Sequence, residues 1–333
     1  AYTEYRGKMT LREELADKLT AFTHATIDPS KNIIMTPGTQ GALFLAIGSM
    51  AARGDKVAIV EPDYFANRKL AEFFECTPVP IPMDYFHAKD GSGIDLAYLE
   101  ERFKEGIRLF LFSNPNNPTG AVYSSEEIHS IAKLAKKYHV SLIVDELYSR
   151  QIFDGKDYTH LCALEDLPEE MVTIIGPSKT ESLSGFRLGV AFGSESVITR
   201  MEKLQAIVSL RCAGYCQAVF HTWFSEPEGF MADRIAKHQA IRDDLVALLR
   251  EIPGVEVRPT DAGSYLFPKL PPLDICITEF AKVVRELAGV TITPGTEFGA
   301  SCTDSFRVNF SQDHDAAVDA MGRLLTIMER YRR

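Results

Sequence analysis

The feature that most constrains the fold is a repeated pattern of short apolar runs, most of them followed by a polar loop and a helical segment. Seven such runs precede residue 193, at 32–35, 56–60, 77–81, 107–112, 140–144, 171–175 and 188–192. Short apolar runs that alternate with helices are typical of a parallel sheet covered by helices on both faces. The pattern predicts an α/β protein with a large domain built on a mostly parallel sheet of the seven-stranded type.

The chain after residue 193 has a different texture. Helical patterns occupy 196–210, 217–224 and 230–251, and the last of these is long enough to bridge two domains. Beyond it, short strand-like runs at 255–257, 264–267, 290–292 and 306–310 alternate with helical segments at 277–287 and 316–330. This arrangement predicts a smaller α+β domain at the C-terminus. We expect residues 1–235 to form the large domain and residues 236–333 the small one.

Composition and charge exclude several classes of protein. The formal net charge is -10 and the basic residues are spread along the chain, so we expect no nucleic-acid partner. The six cysteines are scattered without the paired spacing of a zinc site, so we expect no metal, reduced thiols and a cytoplasmic location. No apolar run is long enough to cross a membrane. Because the chain opens abruptly at Ala1, we expect a natural N-terminal segment to be missing.

The loop at 176–187 places one lysine, Lys179, among serine, threonine and glycine residues between two strand-like runs. Hydroxyl groups and the arginine eight positions later, Arg187, are suited to bind a phosphate group. A lysine shielded beside them is suited to form a Schiff base with pyridoxal phosphate. Judged alone, however, the loop fits an ordinary polar loop with a solvated lysine better.

Other polar residues also follow strand-like runs, at the sheet edge where ligands bind in open α/β folds. The turn Gly38-Thr39-Gln40 separates a strand from a helix at 42–52, where backbone N–H groups can hold a phosphate. A plain structural turn is at least as consistent with this short motif. Tyr64 follows the run at 56–60, where an aromatic residue more often serves packing, and Asp145 ends the run at 140–144, where it either caps the backbone or faces a ligand.

Taken together, these segments resemble the fold-type I pyridoxal-phosphate enzymes, specifically the class I and II aminotransferases, over nearly the whole chain. Four motifs carry the resemblance because they occur in the right order and spacing. They are Asn-Pro-Thr-Gly at 117–120, Asp145 with Tyr148 three residues later, Lys179 with Arg187 eight residues later, and Arg307 in a late strand.

The resemblance implies a catalytic role for each strand-end residue. Lys179 would form the Schiff base and carry the proton between substrate and cofactor. Asp145 would lie against the pyridine nitrogen, where a carboxylate favours the protonated ring. Tyr148 and Asn117 would hydrogen-bond the ring hydroxyl, and Tyr64 would stack on the ring face.

The resemblance also implies how phosphate and substrate are bound. Arg307 would bind the substrate α-carboxylate as a bidentate fork, with Asn117 beside it. Tyr2 would reach the phosphate held by the neighbouring subunit, which implies a homodimer with shared active sites. The implied phosphate-binding residues of the subunit itself are Gly38, Thr39, Gln40, Ser178 and Arg187.

Three departures from the family pattern are visible. Gly176 stands three residues before Lys179, where many relatives have a phosphate-binding serine, so Ser178 or a water molecule would have to take over that contact. The segment that precedes Tyr2 in the family is absent. Around 211–215 the Ser-Asn-Pro-Pro of the aspartate-type branch is missing, and whether Arg211 reaches a distal substrate carboxylate stays open.

The sequence thus predicts an enzyme that moves an amino group from an amino acid to a 2-oxo acid by a ping-pong mechanism. A lyase, cyclase or oxidase that uses the same cofactor on an amino acid such as arginine or a hydroxylated derivative is the alternative, because one fold supports several reactions. A ligand-sensing domain of a regulator is a third interpretation, but it requires a helix-turn-helix partner that these residues do not contain. The identity of the amino acid is not decided by the sequence.

Overall fold

A computed structural model describes residues 2–333. Its main feature is a seven-stranded sheet in the order β1-β7-β6-β5-β4-β2-β3. Neighbouring strands are parallel except for β7, which is antiparallel to β1 and to β6. The strands are β1 Ile33–Pro37, β2 Lys56–Glu61, β3 Thr77–Pro82, β4 Ile107–Ser113, β5 Ser141–Asp145, β6 Met171–Ile175 and β7 Leu188–Gly193. The predicted mostly parallel sheet is confirmed.

Helices cover both faces of this sheet, and β4 shows why its strands are apolar throughout. Phe110 and Phe112 point into a core formed with α4 and α5, whereas Leu109 and Leu111 point into the core formed with α2, α3 and α6. Successive side chains of a strand face opposite sides, so a strand buried on both faces must be apolar at every position. The helices are α1 Met9–Thr23, α2 Gly38–Met50, α3 Phe65–Phe73, α4 Leu96–Lys104, α5 Ser125–Lys137 and α6 Glu195–Val208.

The C-terminal part forms a three-stranded antiparallel sheet in the order β8-β10-β9. Its helices enclose a separate core that includes Phe280, Phe306 and Met328. The longest described helix, α8 (Phe230–Arg250), runs without a break through the predicted domain boundary between residues 235 and 236. The position of that boundary stays a prediction. The elements are α7 Gly214–Gln217, α8 Phe230–Arg250, β8 Tyr265–Leu266, α9 Ile277–Ala288, β9 Thr293–Pro294, β10 Phe306–Asn309 and α10 His314–Tyr331.

Four local predictions need correction. The predicted turn at 38–40 is already the first turn of α2. The helix predicted at 217–224 is wrong: α7 gives way to a 3₁₀ turn, Ala218–His221, and Phe220 and Trp223, three residues apart, are both fully buried. The strand predicted at 290–292 begins only at Thr293, and the run at 255–257 forms a single bridge, at Glu256. Within the described residues, no helix has both the length and the apolar character needed to cross a bilayer.

Candidate active site

A cavity of about 240 Å³ lies at the carboxyl ends of the central parallel strands. Parallel strands bring the residues that follow them to one edge of the sheet, so loops distant in sequence meet there. Residues that the sequence analysis did not assign to the site, among them Ser113, Ser184 and Tyr265, also line it. The predicted site residues that line the cavity are Thr39, Gln40, Tyr64, Asn117, Asp145, Tyr148, Ser178, Lys179, Arg187 and Arg307.

One end of the cavity is built from the N-terminus of α2 and the side chain of Arg187. A Cβ atom on Gly38 would lie only 2.6 Å from Nη2 of Arg187, and Gly38 has a φ of +76°. A Cβ atom on Gly189 would lie 2.4 Å from the backbone nitrogen of Thr39. Both glycines are therefore required to bring the guanidinium and the helix N-terminus together, and this combination is suited to bind an anion.

Arg187 and Lys179 are both exposed to the cavity mouth, and neither forms an ion pair with any carboxylate among the described residues. Nη1 of Arg187 donates a hydrogen bond to the carbonyl oxygen of Ser184, 3.0 Å away. Arg234 of α8 holds the lysine loop by donating to the carbonyl oxygen of Lys179 (3.3 Å) and to Oγ of Ser182 (2.8 Å). The loop backbone is thus anchored while the lysine amine stays free.

A second anchor of the lysine loop is a buried cluster around Arg150. Its guanidinium donates to Glu181, within the loop, and to Glu226, with Nη1 2.8 Å from Oε1 of the latter. The same guanidinium lies 4.0 Å from the ring centroid of Phe224. A buried arginine bonded to two carboxylates has a well-defined position, because moving it would leave a charge unpaired. Arg150 and Glu181 therefore fix where Lys179 leaves the backbone.

Asp145 lies at the end of β5, half-buried at the cavity wall. Its Oδ1 accepts a hydrogen bond from the backbone N–H of Leu147 at 3.0 Å, and no cation among the described residues pairs with it. Burial raises the pKa of Asp145 to about 6, and the neighbouring Glu146 contributes in the same direction. A half-buried carboxylate that has no cation beside it is suited to bind a positively charged group of a ligand.

The other end of the cavity contains Arg307, on β10. Its guanidinium lies 4.1 Å from the ring centroid of Tyr265 and 4.8 Å from that of Phe298, and Nη1 donates to Oδ1 of Asn117 at 2.9 Å. The hydroxyl of Tyr148 donates to the hydroxyl of Tyr265 at 2.9 Å. Sequence reasoning missed both aromatic residues, because Tyr265 was only one residue of a short apolar run and Phe298 is a single aromatic residue between Glu297 and Gly299.

Tyr64 and Tyr2 make contacts that the sequence analysis did not predict. The hydroxyl of Tyr64 donates to Oε1 of Gln40 at 3.0 Å, so these two side chains are joined at the cavity rim. Tyr2 is 84% exposed and does not line the cavity of its own chain; its ring lies 4.4 Å from the guanidinium of Arg211. Arg211 also donates to the carbonyl oxygen of Thr3, so within this chain it is bound to the N-terminal segment rather than directed at the cavity.

Behind Asp145, the donor atoms of Glu146, His160 and Cys162 lie within 4.8 Å of one another. Nδ1 of His160 is 2.6 Å from Oε2 of Glu146, which is a hydrogen-bond distance and shorter than the separation between two ligands of one zinc ion. Burial also raises the pKa of the Cys162 thiol, which disfavours the thiolate that a metal needs. The group is best described as a buried hydrogen-bonded pair beside a thiol.

The surroundings of Gly176 leave little room for the serine expected there from the family pattern. A Cβ atom at position 176 would lie 2.9 Å from the methyl carbon of Thr39 and 3.2 Å from the carbonyl oxygen of Leu188. The Thr39 methyl group thus occupies the space that a serine at 176 would need. Ser178 directly precedes Lys179, is 7% exposed and lines the cavity, so its side chain offers a hydroxyl that Gly176 lacks.

We expect Gly176→Ser to destabilise the protein by roughly 1–3 kcal/mol, the usual cost of adding atoms to a packed site. The double variant Gly176→Ser, Thr39→Ser removes the obstructing methyl group, keeps a hydroxyl at 39 and should recover most of that loss. Thermal unfolding of the wild type, both single variants and the double variant measures the coupling between the positions. Additive effects of the two substitutions would contradict the proposed contact.

Comparison with known proteins agrees with this geometry. Residues 1–322 match the family described as aminotransferase class I and II. The chain belongs to this family. The aspartate aminotransferase of Pyrococcus horikoshii is 28% identical to this aminotransferase over 330 residues, which make up 98% of this chain and 83% of that protein.

Solved structures match the aminotransferase over its whole length. A structure titled as an aspartate aminotransferase from Rhodobacter sphaeroides 2.4.1 is 60% identical, with a TM-score of 0.98 over 100% of this chain and 85% of that one. The N-succinyldiaminopimelate aminotransferase of Mycobacterium tuberculosis is 25% identical, with a TM-score of 0.90 over 98% of this chain and 85% of that one. The predicted fold-type I architecture and the predicted pyridoxal-phosphate-dependent aminotransferase activity are confirmed.

Proposed function

We propose that this aminotransferase transfers the amino group of an amino acid, with aspartate the first candidate, to a 2-oxo acid, and that the cavity at the strand ends holds pyridoxal phosphate. The observation that carries the assignment is the set of groups without ion-pair partners around that one cavity: the amine of Lys179, the carboxylate of Asp145 and the guanidinium of Arg187. Aspartate is favoured as donor because relatives from two organisms bear the name aspartate aminotransferase.

The residues present fit the cofactor. The space left by Gly38 lets the guanidinium of Arg187 lie against the N-terminus of α2, where a phosphate group can accept hydrogen bonds from both. Thr39, Gln40 and Ser178 add polar groups at the same end. Asp145, half-buried and without a cation beside it, is suited to a protonated pyridine nitrogen.

When bound, pyridoxal phosphate supplies an aldehyde that condenses with amines and a ring that accepts electron density from the substrate carbon. The Lys179 amine would take a proton from the substrate α-carbon, hold it at Nζ and deliver it to the cofactor side of the bond. Asp145 would favour the protonated ring nitrogen, and Tyr148 with Asn117 would hydrogen-bond the ring hydroxyl. The same residues serve both half-reactions, which implies ping-pong kinetics.

The substrate carboxylate is assigned to Arg307. Tyr265 and Phe298 contact its guanidinium and Asn117 accepts one of its hydrogen bonds, so the fork is oriented before substrate arrives. Preorganised charged groups lose less entropy on binding, and a planar guanidinium matches a carboxylate with two parallel bonds. This orientation also explains why an arginine lies in a strand of the second sheet.

We further assign the active unit to a homodimer. One surface near the N-terminal segment exposes large apolar side chains, which a second copy of the chain would cover. Tyr2, which is part of this surface, would then reach the phosphate of the other subunit. The most exposed members are Tyr2 (84%), Ile207 (81%), Val208 (54%), Leu210 (48%) and Tyr215 (85%). Sedimentation of the purified protein at micromolar concentration should give twice the mass of the chain.

A cytoplasmic location completes the proposal. All six cysteines are free, and three of them are buried, so none forms a disulfide that a secreted protein of this size would often carry. Free thiols are typical of the reducing environment inside cells. Fractionation of cells that express the native gene would measure the location directly.

A panel of amino donors tests the reaction. The purified protein is mixed with pyridoxal phosphate, one amino acid and one 2-oxo acid, and the new amino acid and the new oxo acid are both quantified. Transamination predicts equal amounts of the two products, with aspartate among the best donors. Release of ammonia or consumption of oxygen without a new amino acid would support a lyase, cyclase or oxidase and would reject transamination.

Arg307→Lys is expected to raise the KM for the amino donor by about 10–100-fold, because losing a charge-assisted hydrogen bond costs roughly 1.5–3 kcal/mol. Lysine keeps the charge but not the planar fork, so kcat should change less than KM. Steady-state kinetics with varied donor concentration measure both constants. Arg285→Lys, at an exposed position on α9, is the control, and equal KM values for the two variants would contradict the assignment.

A further inference from the structure

Asp63 is a buried carboxylate that none of the assigned roles uses. It follows β2 by two residues, is 2% exposed and lies directly before the cavity residue Tyr64. In the sheet, β2 neighbours β4, and β4 neighbours β5, which ends at Asp145. Asp63 therefore lies at the same edge of the sheet as the cavity, beneath its wall.

Its two oxygen atoms accept hydrogen bonds from three residues. Oδ1 accepts from the backbone N–H of Tyr64 at 2.6 Å, from Nδ2 of Asn67 at 3.2 Å and from the hydroxyl of Ser113. Oδ2 accepts from the backbone N–H of Ser113 at 3.0 Å. A carboxylate can accept about four hydrogen bonds, so Asp63 is fully satisfied by these donors.

The hydrogen bonds lead from Asp63 to groups that line the cavity. Oγ of Ser113 accepts a hydrogen bond from the backbone N–H of Asn117 at 3.1 Å, and Ser113 lies opposite Asp145 in the register of β4 and β5. Tyr64, bonded directly, lines the cavity itself. One carboxylate thus joins the backbone at Tyr64 to the backbone at Asn117.

A further contact reaches the arginine on the second sheet. The backbone N–H of Asp63 donates to the carbonyl oxygen of Phe298 at 3.2 Å, and the Phe298 ring is one of the two that contact the guanidinium of Arg307. The same region of the second sheet is tied to β2 by Glu61, whose Oε1 accepts from the backbone N–H of Ser301 at 3.1 Å. The position of Asp63 is therefore coupled to the substrate end as well as to the cofactor end.

We propose that Asp63 is a positioning residue for the transamination site, whose carboxylate holds the cavity residues Tyr64 and Asn117 at a set separation. The inference rests on the proposed binding of pyridoxal phosphate in this cavity. A purely structural role, as an acceptor that caps the loop after β2, is the competing explanation. The two differ in whether removing the carboxylate affects ligand binding beyond its effect on folding.

The electrostatics support a functional role over a purely structural one. Burial raises the pKa of Asp63 to about 7, its hydrogen bonds to Ser113 and Tyr64 oppose that rise, and the nearby Asp145 adds to it. Two carboxylates close to each other, Asp63 buried and Asp145 half-buried, destabilise a protein that contains no ligand. A neutral side chain at position 63 would cap the loop without this repulsion. A carboxylate is nevertheless the best acceptor for the simultaneous hydrogen bonds from Tyr64, Asn67 and Ser113.

Asp63→Asn tests the proposal, because it keeps the shape but replaces one acceptor oxygen with a donor group. The matched control is Asp55→Asn, just before the other end of β2, where Oδ2 of Asp55 likewise accepts a backbone hydrogen bond, from Ala52 at 2.8 Å. Three kinds of measurement are made on the wild type and both variants. They are thermal unfolding without cofactor, titration with pyridoxal phosphate to give its dissociation constant and visible absorption band, and steady-state kinetics to give kcat and KM for the donor.

We expect Asp63→Asn to weaken cofactor binding and raise the donor KM by about tenfold each, as for the loss of one or two hydrogen bonds to a charged group. The visible band of the bound cofactor should shift, and Asp55→Asn should match the wild type in all ligand measurements. If Asp63→Asn fails to fold, Ser113→Ala, which removes the hydroxyl that links Asp63 to Asn117 but keeps the backbone hydrogen bond from Ser113 to Asp63, should show the same changes at smaller size.

Two results overturn the inference: wild-type cofactor affinity and KM in folded Asp63→Asn, or a loss of activity that only follows the folded fraction. Unchanged ligand measurements in Ser113→Ala would overturn it as well if Asp63→Asn does not fold. A wild-type protein that neither binds pyridoxal phosphate nor transaminates would instead reject the proposed function, so the two failures are distinguishable.

Discussion

Lys179→Ala is expected to lower kcat by about 10⁴-fold or more, because it removes both the amine that bonds the cofactor and the base that moves the substrate proton. The variant should fold normally, since Lys179 is exposed and its amine has no ion-pair partner among the described residues. It should still bind pyridoxal phosphate, though more weakly. Single-turnover measurements with aspartate and absorption spectra of the bound cofactor measure the two effects separately.

The control for this substitution is Lys237→Ala, on the exposed face of α8, where the amine pairs only with Asp233. It changes the net charge by the same amount without touching the cavity. Turnover by Lys179→Ala at more than about a hundredth of the wild-type rate would contradict the assignment, because general acid–base catalysis typically contributes at least that much.

Asp145→Asn is expected to change stability and catalysis in opposite directions. Burial raises the pKa of Asp145 to about 6, above its ordinary value of 3.8. A group whose pKa is raised by folding contributes stability that is lost as the pH rises through the folded pKa. Without cofactor, the asparagine variant should therefore be more stable than the wild type at about pH 8, by roughly 1–2 kcal/mol, and the difference should shrink towards about pH 5.

The same substitution should lower kcat by roughly 10²–10³-fold, the usual effect of removing one electrostatic contact from a reaction centre. An asparagine cannot hold the proton on the pyridine nitrogen by charge, so the cofactor should also bind less tightly. Asp154→Asn is the control with the opposite sign, because hydrogen bonding to Arg242 lowers the pKa of Asp154. Chemical unfolding across pH and steady-state kinetics check both parts. A variant that is less stable than the wild type at high pH would contradict the predicted charge state.

Much of the large sheet could be predicted because its strands are buried on both faces. Such strands must be apolar at every position, and runs such as 171–175 therefore stand out from the helices around them. The same regularity located the candidate site: Asp145 and Lys179 follow neighbouring strands, and parallel strands bring their carboxyl ends to one edge. The order of motifs then sufficed to recognise the family.

The elements predicted least well are those whose conformation depends on distant contacts. The segment 217–224 has enough apolar residues for a helix, but burying both Phe220 and Trp223 against α1 and the sheet favours a tighter turn. The strand pairing of β9 begins at Thr293 because Val290 and Ile292 are used to fill the core of the second sheet. In both places tertiary packing overrides the local pattern.

The sequence by itself determined the chain's class of fold and its family and proposed Lys179 as the reactive lysine, because these inferences depend on local composition and on the order of motifs along the chain. Only the tertiary structure showed that Tyr265 joins Tyr148 to Arg307, that Thr39 fills the space beside Gly176, and that Asp63 connects opposite walls of the cavity. Each of these contacts joins segments that are far apart in sequence. Hydrogen bonding and close packing depend on the distance between atoms in space, and the order of residues does not specify that distance.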